Sequence, residues 1–485
     1  MAEDKQPKRM STGIAGLDEI LDGGLIPGRS YVIRGGPGTG KTTLGLHFLA
    51  AGAAAGEPAL FITLGEREGE IRANAQTMGF DLKDIVFLDL SPTPDFFARA
   101  KSYDIFAPSE VELEPTTKRI VEQIESQKPR RVFVDSMTQF RYLAADAYQF
   151  RTQVLSFLRF LIEREATVML ASEGVADDDL QFMADGVVDL VSPLDERSIR
   201  VVKFRGSDHR GGLHSMRITS SGVKVYPRLV PAAHRVEFGV EKLSSGVPEM
   251  DELLHGGLER GTVTIITGPT GVGKTTVGLQ FMKEAAGRGE RSVVYSFEEE
   301  VQVMLAHCEG VGIAAPEMVE RGTLSLVKVE PLRFTPDEFA LLVRDEVENK
   351  KARIIMLDSI SGYHLSLRGG DIVAHMHALS KYMANMGVTV LFINEVDAVT
   401  GELRVTDVGI SYLADTILFL RYMERRRKET GVLELGRAIG VLKKRLSEFD
   451  PIMHEFEITR EGINVLPPNP GLTAILSGTP RYTEG

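Results

Sequence analysis

Two stretches of this chain have the residue types and spacing to hold a nucleoside triphosphate. Gly35, Gly38, Gly40, Lys41, Thr42 and Thr43 sit in GGPGTGKTT; Gly268, Gly271, Gly273, Lys274, Thr275 and Thr276 sit in TGPTGVGKTT. Each stretch satisfies Gly-x-x-x-x-Gly-Lys-Thr, the P-loop pattern. Its glycines let backbone N–H groups turn inward around phosphate oxygens. Its lysine meets the β and γ oxygens, and its first threonine hydroxyl is placed to ligate Mg²⁺. The N-terminus of the following helix adds a favourable field. The cofactors these loops imply are ATP and Mg²⁺.

Such a site needs further acids. One must hold the metal through water from the end of a strand expected to neighbour the P-loop strand. Asp135 closes the apolar run VFVD and Asp358 closes IIMLD, so the metal set is Thr42 with Asp135 and Thr275 with Asp358. Another carboxylate must orient or deprotonate the attacking oxygen. Glu298 and Glu299 follow VVYSF at the expected carboxyl edge of a sheet. The two P-loops lie at an offset of 233, at which Glu299 meets Glu66 but Glu298 meets Gly65. The first copy therefore has one acid where the second has two. Glu66, Glu298 and Glu299, with Lys41 and Lys274, are the candidate catalytic residues. The plainer alternatives are a strand-end aspartate capping a turn and glutamates drawn to a helix N-terminus.

The elements that must position these residues repeat as well. Residues 11–48 align without a gap on 244–281, sharing Asp18 with Asp251 and Gly23-Gly24 with Gly256-Gly257. A repeat this long is two homologous domains, because solenoid units are only about 20–50 residues. The expected domains are 1–233 and 234–485, with the boundary inside 226–243. In each half, short β-branched runs such as SYVIRG, PALFITL, RRVFVDS and ATVMLASE alternate with helical stretches. That order predicts an α/β fold, a mostly parallel sheet with helices on both faces. Ligands in such folds bind at the carboxyl ends of the strands.

Composition narrows the class. The chain has 43% hydrophobic and 26% charged residues, ordinary for a globular protein, and a net charge of −12 that argues against a broad nucleic-acid surface. Arg425, Arg426, Arg427 and Lys428 form its one dense basic run, read as a solvated hairpin. The lone Cys308 cannot make an internal disulfide, and neither a secretory signal nor a membrane-spanning run is visible, so a cytoplasmic location is expected.

With tandem P-loops, the Glu-Glu pair, VDS and LDS in place, the chain resembles the KaiC family of RecA-type ATPases over almost its whole length. Two later segments extend the likeness. VVKFRGSDHRGG (201–212) is similar to that family's Lys-x-Arg-Gly strand, and VLKKRLSEF repeats it with Leu446 in place of the glycine. The resemblance implies that Lys203, Arg205 and His209, and Lys443 and Arg445, bind the nucleotide of an adjacent subunit in a homohexamer. It also places the family's autophosphorylated hydroxyl pair on Ser411-Tyr412, where the first copy has Gln181-Phe182. A KaiB-like partner on the first domain is compatible with it. The segment beginning AILSGTPRYTEG stops early, which argues against control by KaiA. The implied function is a slowly hydrolysing ATPase whose second domain is a serine/threonine autokinase, acting in signalling or timing. Two rivals share the fold: a DNA-acting RecA-type motor, and a nucleotide-gated scaffold without kinase activity.

Overall fold

In the computed structural model, residues 8–92, 108–142, 144, 146–173, 179–192, 196–367, 371–396, 411–426, 433–467, 472–473 and 481–482 are described. Two compact units emerge, Met1–Arg228 and Leu229–Gly485. Each is built on a nine-stranded sheet, and the two sheets repeat one strand order.

The first sheet comprises β1 (Ser30–Gly35), β2 (Ala59–Thr63), β3 (Ile85–Asp89), β4 (Arg131–Asp135), β5 (Thr167–Ser172), β6 (Gly186–Val191), β7 (Ser198–Phe204), β8 (His214–Thr219) and β9 (Gly222–Tyr226). Their spatial order is β3-β2-β4-β5-β1-β6-β7-β8-β9. Strands β3 through β6 in that order pair in parallel, and β7, β8 and β9 close the sheet antiparallel. In the second unit β10 (Lys242–Leu243) and β11 (Leu258–Glu259) form a short ribbon. The main sheet follows: β12 (Val263–Gly268), β13 (Arg291–Ser296), β14 (Leu324–Lys328), β15 (Ala352–Asp358), β16 (Thr389–Glu395), β17 (Thr416–Arg426), β18 (Leu433–Lys444), β19 (His454–Thr459) and β20 (Gly462–Val465). Its order is β14-β13-β15-β16-β12-β17-β18-β19-β20.

The apolar runs are explained by burial on both faces. Along β4, Phe133 enters one core cluster while Val132 and Val134 enter the other. Along β15, Ile354 and Met356 face one side, Ile355 and Leu357 the opposite side. Alternate side chains of a strand point to opposite faces, so only a strand covered by helices twice reads as a continuous apolar run.

One glycine pair sets how closely the P-loop helices lie on these sheets. The helices are Lys41–Ala54 and Lys274–Gly287. A Cβ on Gly45 would stand 2.3 Å from the Phe133 ring, and one on Gly278 would stand 2.4 Å from Met356 Sδ. Hydrogen at those positions lets the helices settle on β4 and β15. Among the described residues no helix is long and apolar enough to cross a membrane. Arg427 and Lys428 of the basic run lie outside the described residues, between the paired strands β17 and β18.

Candidate functional site

Both glycine loops leave their strands at the carboxyl edge and enter their helices through a left-handed residue, Gly40 at φ 101° and Gly273 at φ 106°. An L side chain is strained there, so the second glycine of each motif is a steric requirement. Lys41 Nζ donates to the carbonyls of Gly35 (2.8 Å) and Gly36 (3.0 Å), and Lys274 Nζ to that of Pro269 (2.9 Å). The metal pairs read from the sequence meet in both units. Thr42 Oγ1 donates to Asp135 Oδ2 at 2.6 Å, and Thr275 Oγ1 to Asp358 Oδ2 at 2.7 Å.

The strand expected beside the P-loop strand is not the one that carries these aspartates. β5 lies between β1 and β4, and β16 lies between β12 and β15. The aspartate reaches its threonine from two strands away because the P-loop helix crosses over the intervening strand. That strand contributes a residue the sequence reading passed over. Glu395 ends β16 and Glu173 follows β5, and each supports the charge of the P-loop lysine beside it. The signal was present, since both runs, ATVMLASE and VTVLFINE, end in glutamate.

The second-unit site is a cavity of about 370 Å³ lined by Gly271, Lys274, Thr275, Glu298, Glu299 and Asp358, with Glu395, Ser359, His307 and Arg437 completing its wall. Desolvation pushes the Asp358 carboxyl up to about 6; Glu299 and Glu298 add to the rise, against the Thr275 hydrogen bond and Lys274. Desolvation also raises Asp135, with Glu66 and Glu173 adding to it. Both lysines are pulled below their ordinary value by desolvation. Each site thus concentrates negative charge around one metal-binding aspartate, and a divalent cation would relieve that repulsion. A hydroxyl beside a carboxylate, with room for phosphate and water, is the oxygen-rich donor set Mg²⁺ takes.

The paired acids are held differently. Glu66 and Glu299 occupy matching turns: Thr63 Oγ1 donates to the Glu66 carbonyl at 2.5 Å, and Ser296 Oγ to the Glu299 carbonyl at 2.7 Å. Glu298 has a fixed carboxylate, because Ser359 Oγ donates to its Oε1 at 2.7 Å. Ser359 in turn caps the helix Ile360–Ser366 by accepting from Gly362 N at 3.1 Å. Gly65 has no side chain to play this part beside Ser136.

The remaining residues gather elsewhere. Lys203 Nζ donates to the carbonyls of Gln181 and Ala184, each at 2.7 Å, and Lys443 Nζ donates to the carbonyl of Ser411 at 3.2 Å. Arg445 donates to the Tyr412 carbonyl at 3.1 Å and meets Asp415 at 3.4 Å. Arg205 lies 4.0 Å from Asp185, and the His209 backbone N–H donates to the Asp208 carboxylate. Gln181 and Ser411 thus stand at matching places, and their neighbours Phe182 and Tyr412 are exposed at 63% and 50%. Residues 406–410, which precede Ser411, lie outside the described residues. Strand register fixes how far this group is from the P-loop. Lys443 pairs with Ile417, next to Thr416, which pairs with Thr264 at the start of β12; the loop leaves from Gly268 at the end. Lys443, Arg445 and Ser411 are therefore at the opposite edge of the sheet from their own P-loop. Gly206 turns at φ 82°, where a side chain would be strained, whereas the matching Leu446 is 66% exposed.

A repeated parallel sheet, a P-loop at each carboxyl edge and an aspartate on each loop threonine define a tandem RecA-like P-loop ATPase. Comparison with known proteins narrows that class. The family model for the KaiC ATPase matches residues 10–230 and again 243–470, and the chain belongs to that family. It is 30% identical over 506 residues to the circadian clock oscillator protein KaiC of Prochlorococcus marinus (strain MIT 9313), covering 99% of this chain and 97% of that protein. It is 29% identical to the protein of that name from Synechococcus elongatus, covering 97% and 92%. To the circadian clock protein KaiC3 of Synechocystis sp. it is 28% identical, covering 98% and 95%.

Proposed function

We propose that this protein is an ATP-driven homohexamer that hydrolyses ATP slowly in both units and transfers phosphate to its own Ser411 in the second. One observation carries the reading. Lys443, Arg445 and Ser411 cluster at the sheet edge opposite the P-loop of their own unit, so the nucleotide they serve is a neighbour's. A ring places one subunit's P-loop edge against the next subunit's Lys-x-Arg edge, and it closes without unused surfaces.

In this reading each glycine loop holds the phosphates of ATP, with Lys41 or Lys274 on the β and γ oxygens. Thr42 with Asp135, and Thr275 with Asp358, would hold Mg²⁺, which when bound would supply charge neutralisation to the phosphates. Glu298 takes the proton of the attacking oxygen. In hydrolysis that oxygen is water. In autophosphorylation it is the Ser411 hydroxyl of the neighbour: the Oγ–P bond forms, the bond between the γ phosphorus and the β–γ bridging oxygen breaks, and ADP leaves. Arg445 and Lys443 of the same neighbour meet the charge that develops on the γ-phosphoryl group. The first unit has Gln181 where the second has Ser411, so its ATP supports hydrolysis and assembly only.

Light scattering in saturating Mg-ATP and phosphosite mass spectrometry test the two halves of this reading. A particle of six protomers carrying phosphate on Ser411 is expected. A protomer that stays monomeric overturns the ring. A ring without phosphate after prolonged incubation identifies a nucleotide-gated scaffold instead.

A further inference from the structure

Between the two charges that face a neighbour, β18 carries a third. Lys444 follows Lys443 and precedes Arg445, and successive strand side chains point to opposite faces. Its side chain is 0% exposed, and its ammonium lies 3.0 Å from Glu259, itself 6% exposed. The ammonium also donates to the carbonyls of Leu254 and Gly257, and Ser447 Oγ donates to the same Glu259 carboxylate oxygen at 2.8 Å. The ammonium's three protons all have acceptors. This pair ties the end of β18 to the turn and ribbon strand just ahead of the P-loop strand.

The first unit solves the same junction without a buried ion pair at these two positions. Phe204 stands where Lys444 does, between Lys203 and Arg205, and Ile26 stands where Glu259 does. Both belong to one apolar cluster, at 8% and 7% exposure, with Tyr31 packed on Phe204 at 5.9 Å. Arg9, at the position of Lys242, lies over the Phe204 ring at 5.8 Å and donates to the Gly24 carbonyl, the counterpart of Gly257. The apolar solution fits this junction, yet the second unit has a buried ion pair, which as a rule adds little stability over apolar packing.

We propose that Lys444 and Glu259 are a positioning pair that sets the direction of Lys443, Arg445 and Ser411 toward the neighbouring subunit's nucleotide. The proposal rests on the reading that these residues act in trans. Apolar packing lets a strand end slide; three directional bonds to one ammonium do not. The second unit, where a hydroxyl must arrive in line with a phosphorus atom, is the one that has the directional junction.

The test is labelling of Ser411 in mixed rings with mass-tagged protomers. Glu259→Gln alone is expected to lower phosphate on Ser411 by about 10²-fold, the loss typical of a misplacement near 1 Å. Its ATP affinity stays at the wild-type level, because its own P-loop edge is untouched. Lys274→Ala protomers alone are unlabelled. Mixing the two is expected to restore label, all of it on the Lys274→Ala protomers, which present an intact Ser411 edge to an intact P-loop. Transplanting the first unit's solution, Lys242→Arg with Glu259→Ile and Lys444→Phe, is expected to recover folding with less than full transfer. Wild-type labelling in Glu259→Gln overturns the proposal, and so does failure of the mixture to regain label. Arg445→Ala mixed with Lys274→Ala separates the two layers. If that mixture also stays dark, the trans reading itself falls; if it recovers label while the Glu259→Gln mixture does not, only the positioning pair falls.

Discussion

Replacing Glu298 with glutamine removes a charge while leaving the local structure in place. The Glu298 carboxylate accepts from Ser359 Oγ at 2.7 Å, and Ser359 caps the next helix through Gly362 N. A glutamine carbonyl accepts the same bond, so neither the cap nor the rotamer is lost. What disappears is the ability to take a proton, a change worth about 10²–10⁴ in rate, or about 2.7–5.5 kcal/mol at roughly 1.36 kcal/mol per decade. Metal binding should not suffer, because Glu298 is one of the two glutamates that raise the Asp358 carboxyl. Removing it lets Asp358 ionise more readily. The assay is phosphate release at saturating Mg-ATP in a Lys41→Ala background, which leaves only the second site, with the Michaelis constant measured alongside. The expected result is a kcat lowered by about 10²–10⁴ with KM nearly constant. Turnover within twofold of the parent would refute the assignment of Glu298 as the proton acceptor and leave Glu299 as the candidate.

Glu66→Gln in a Lys274→Ala background should lower first-unit hydrolysis by a similar factor without releasing nucleotide; an undiminished rate in phosphate-release assays removes Glu66 from the site. Arg205→Ala should weaken ATP-dependent assembly in light scattering, since it deletes an exposed charge at the edge that the proposed ring turns toward a neighbour, while Lys203 keeps its bonds to Gln181 and Ala184. Gly45→Ala should destabilise its unit by about 1–3 kcal/mol in thermal melts; Gly278→Ala should cost less, because Met356 can move aside more easily than the Phe133 ring, which is already packed edge-on against Phe61. Asp358→Asn should raise the melting temperature of the nucleotide-free protein in EDTA at pH 7.5. A carboxyl raised from 3.8 to about 6 in the folded state weakens folding above that pH, by up to about 3 kcal/mol. The advantage of the variant should shrink as pH falls through 6 and vanish near 4; an advantage that grows on acidification contradicts the assigned direction.

The fold was legible because its signal is doubled. A strand buried on both faces reads as an unbroken apolar run, and the same runs recur beside both P-loops. What the runs do not encode is their lateral order. Nothing in VFVDS says that β5 separates β4 from β1, because that order arises from crossover connections made through helices on both faces. The sequence therefore identifies the aspartate but not that its strand lies one place further from β1. The glutamates at 173 and 395 were missed for the same reason: only the sheet order puts them between the P-loop lysine and the metal-binding acid.

The residues hardest to read were those whose partners are set by burial. The resemblance assigns Lys203 and Lys443 to a neighbour's nucleotide, but it does not say that each donates to a carbonyl of the segment carrying Gln181 or Ser411. Neither Lys444 nor Glu259 belongs to a motif in the sequence. Their meeting depends on the antiparallel return of β18 alongside β17, which brings residue 444 next to the ribbon before the P-loop strand. The two units thus share the P-loop glycines, lysine and threonines and the Lys-x-Arg pair, and differ in the residues around that pair. A duplicated P-loop is kept by the geometry of its own loop, which tolerates few alternatives. In the proposed ring, the edge facing a neighbour would be constrained by what must arrive there. In the first unit it presents Gln181, held over an apolar junction. In the second it presents Ser411 on Lys443, next in sequence to the buried Lys444–Glu259 pair, and the P-loop site of that unit has two glutamates and a serine that fixes one of them. Three differences, at residues 298, 411 and the pair 259 and 444, all fall on the unit that carries Ser411, and the proposed phosphoryl transfer between subunits would account for them together.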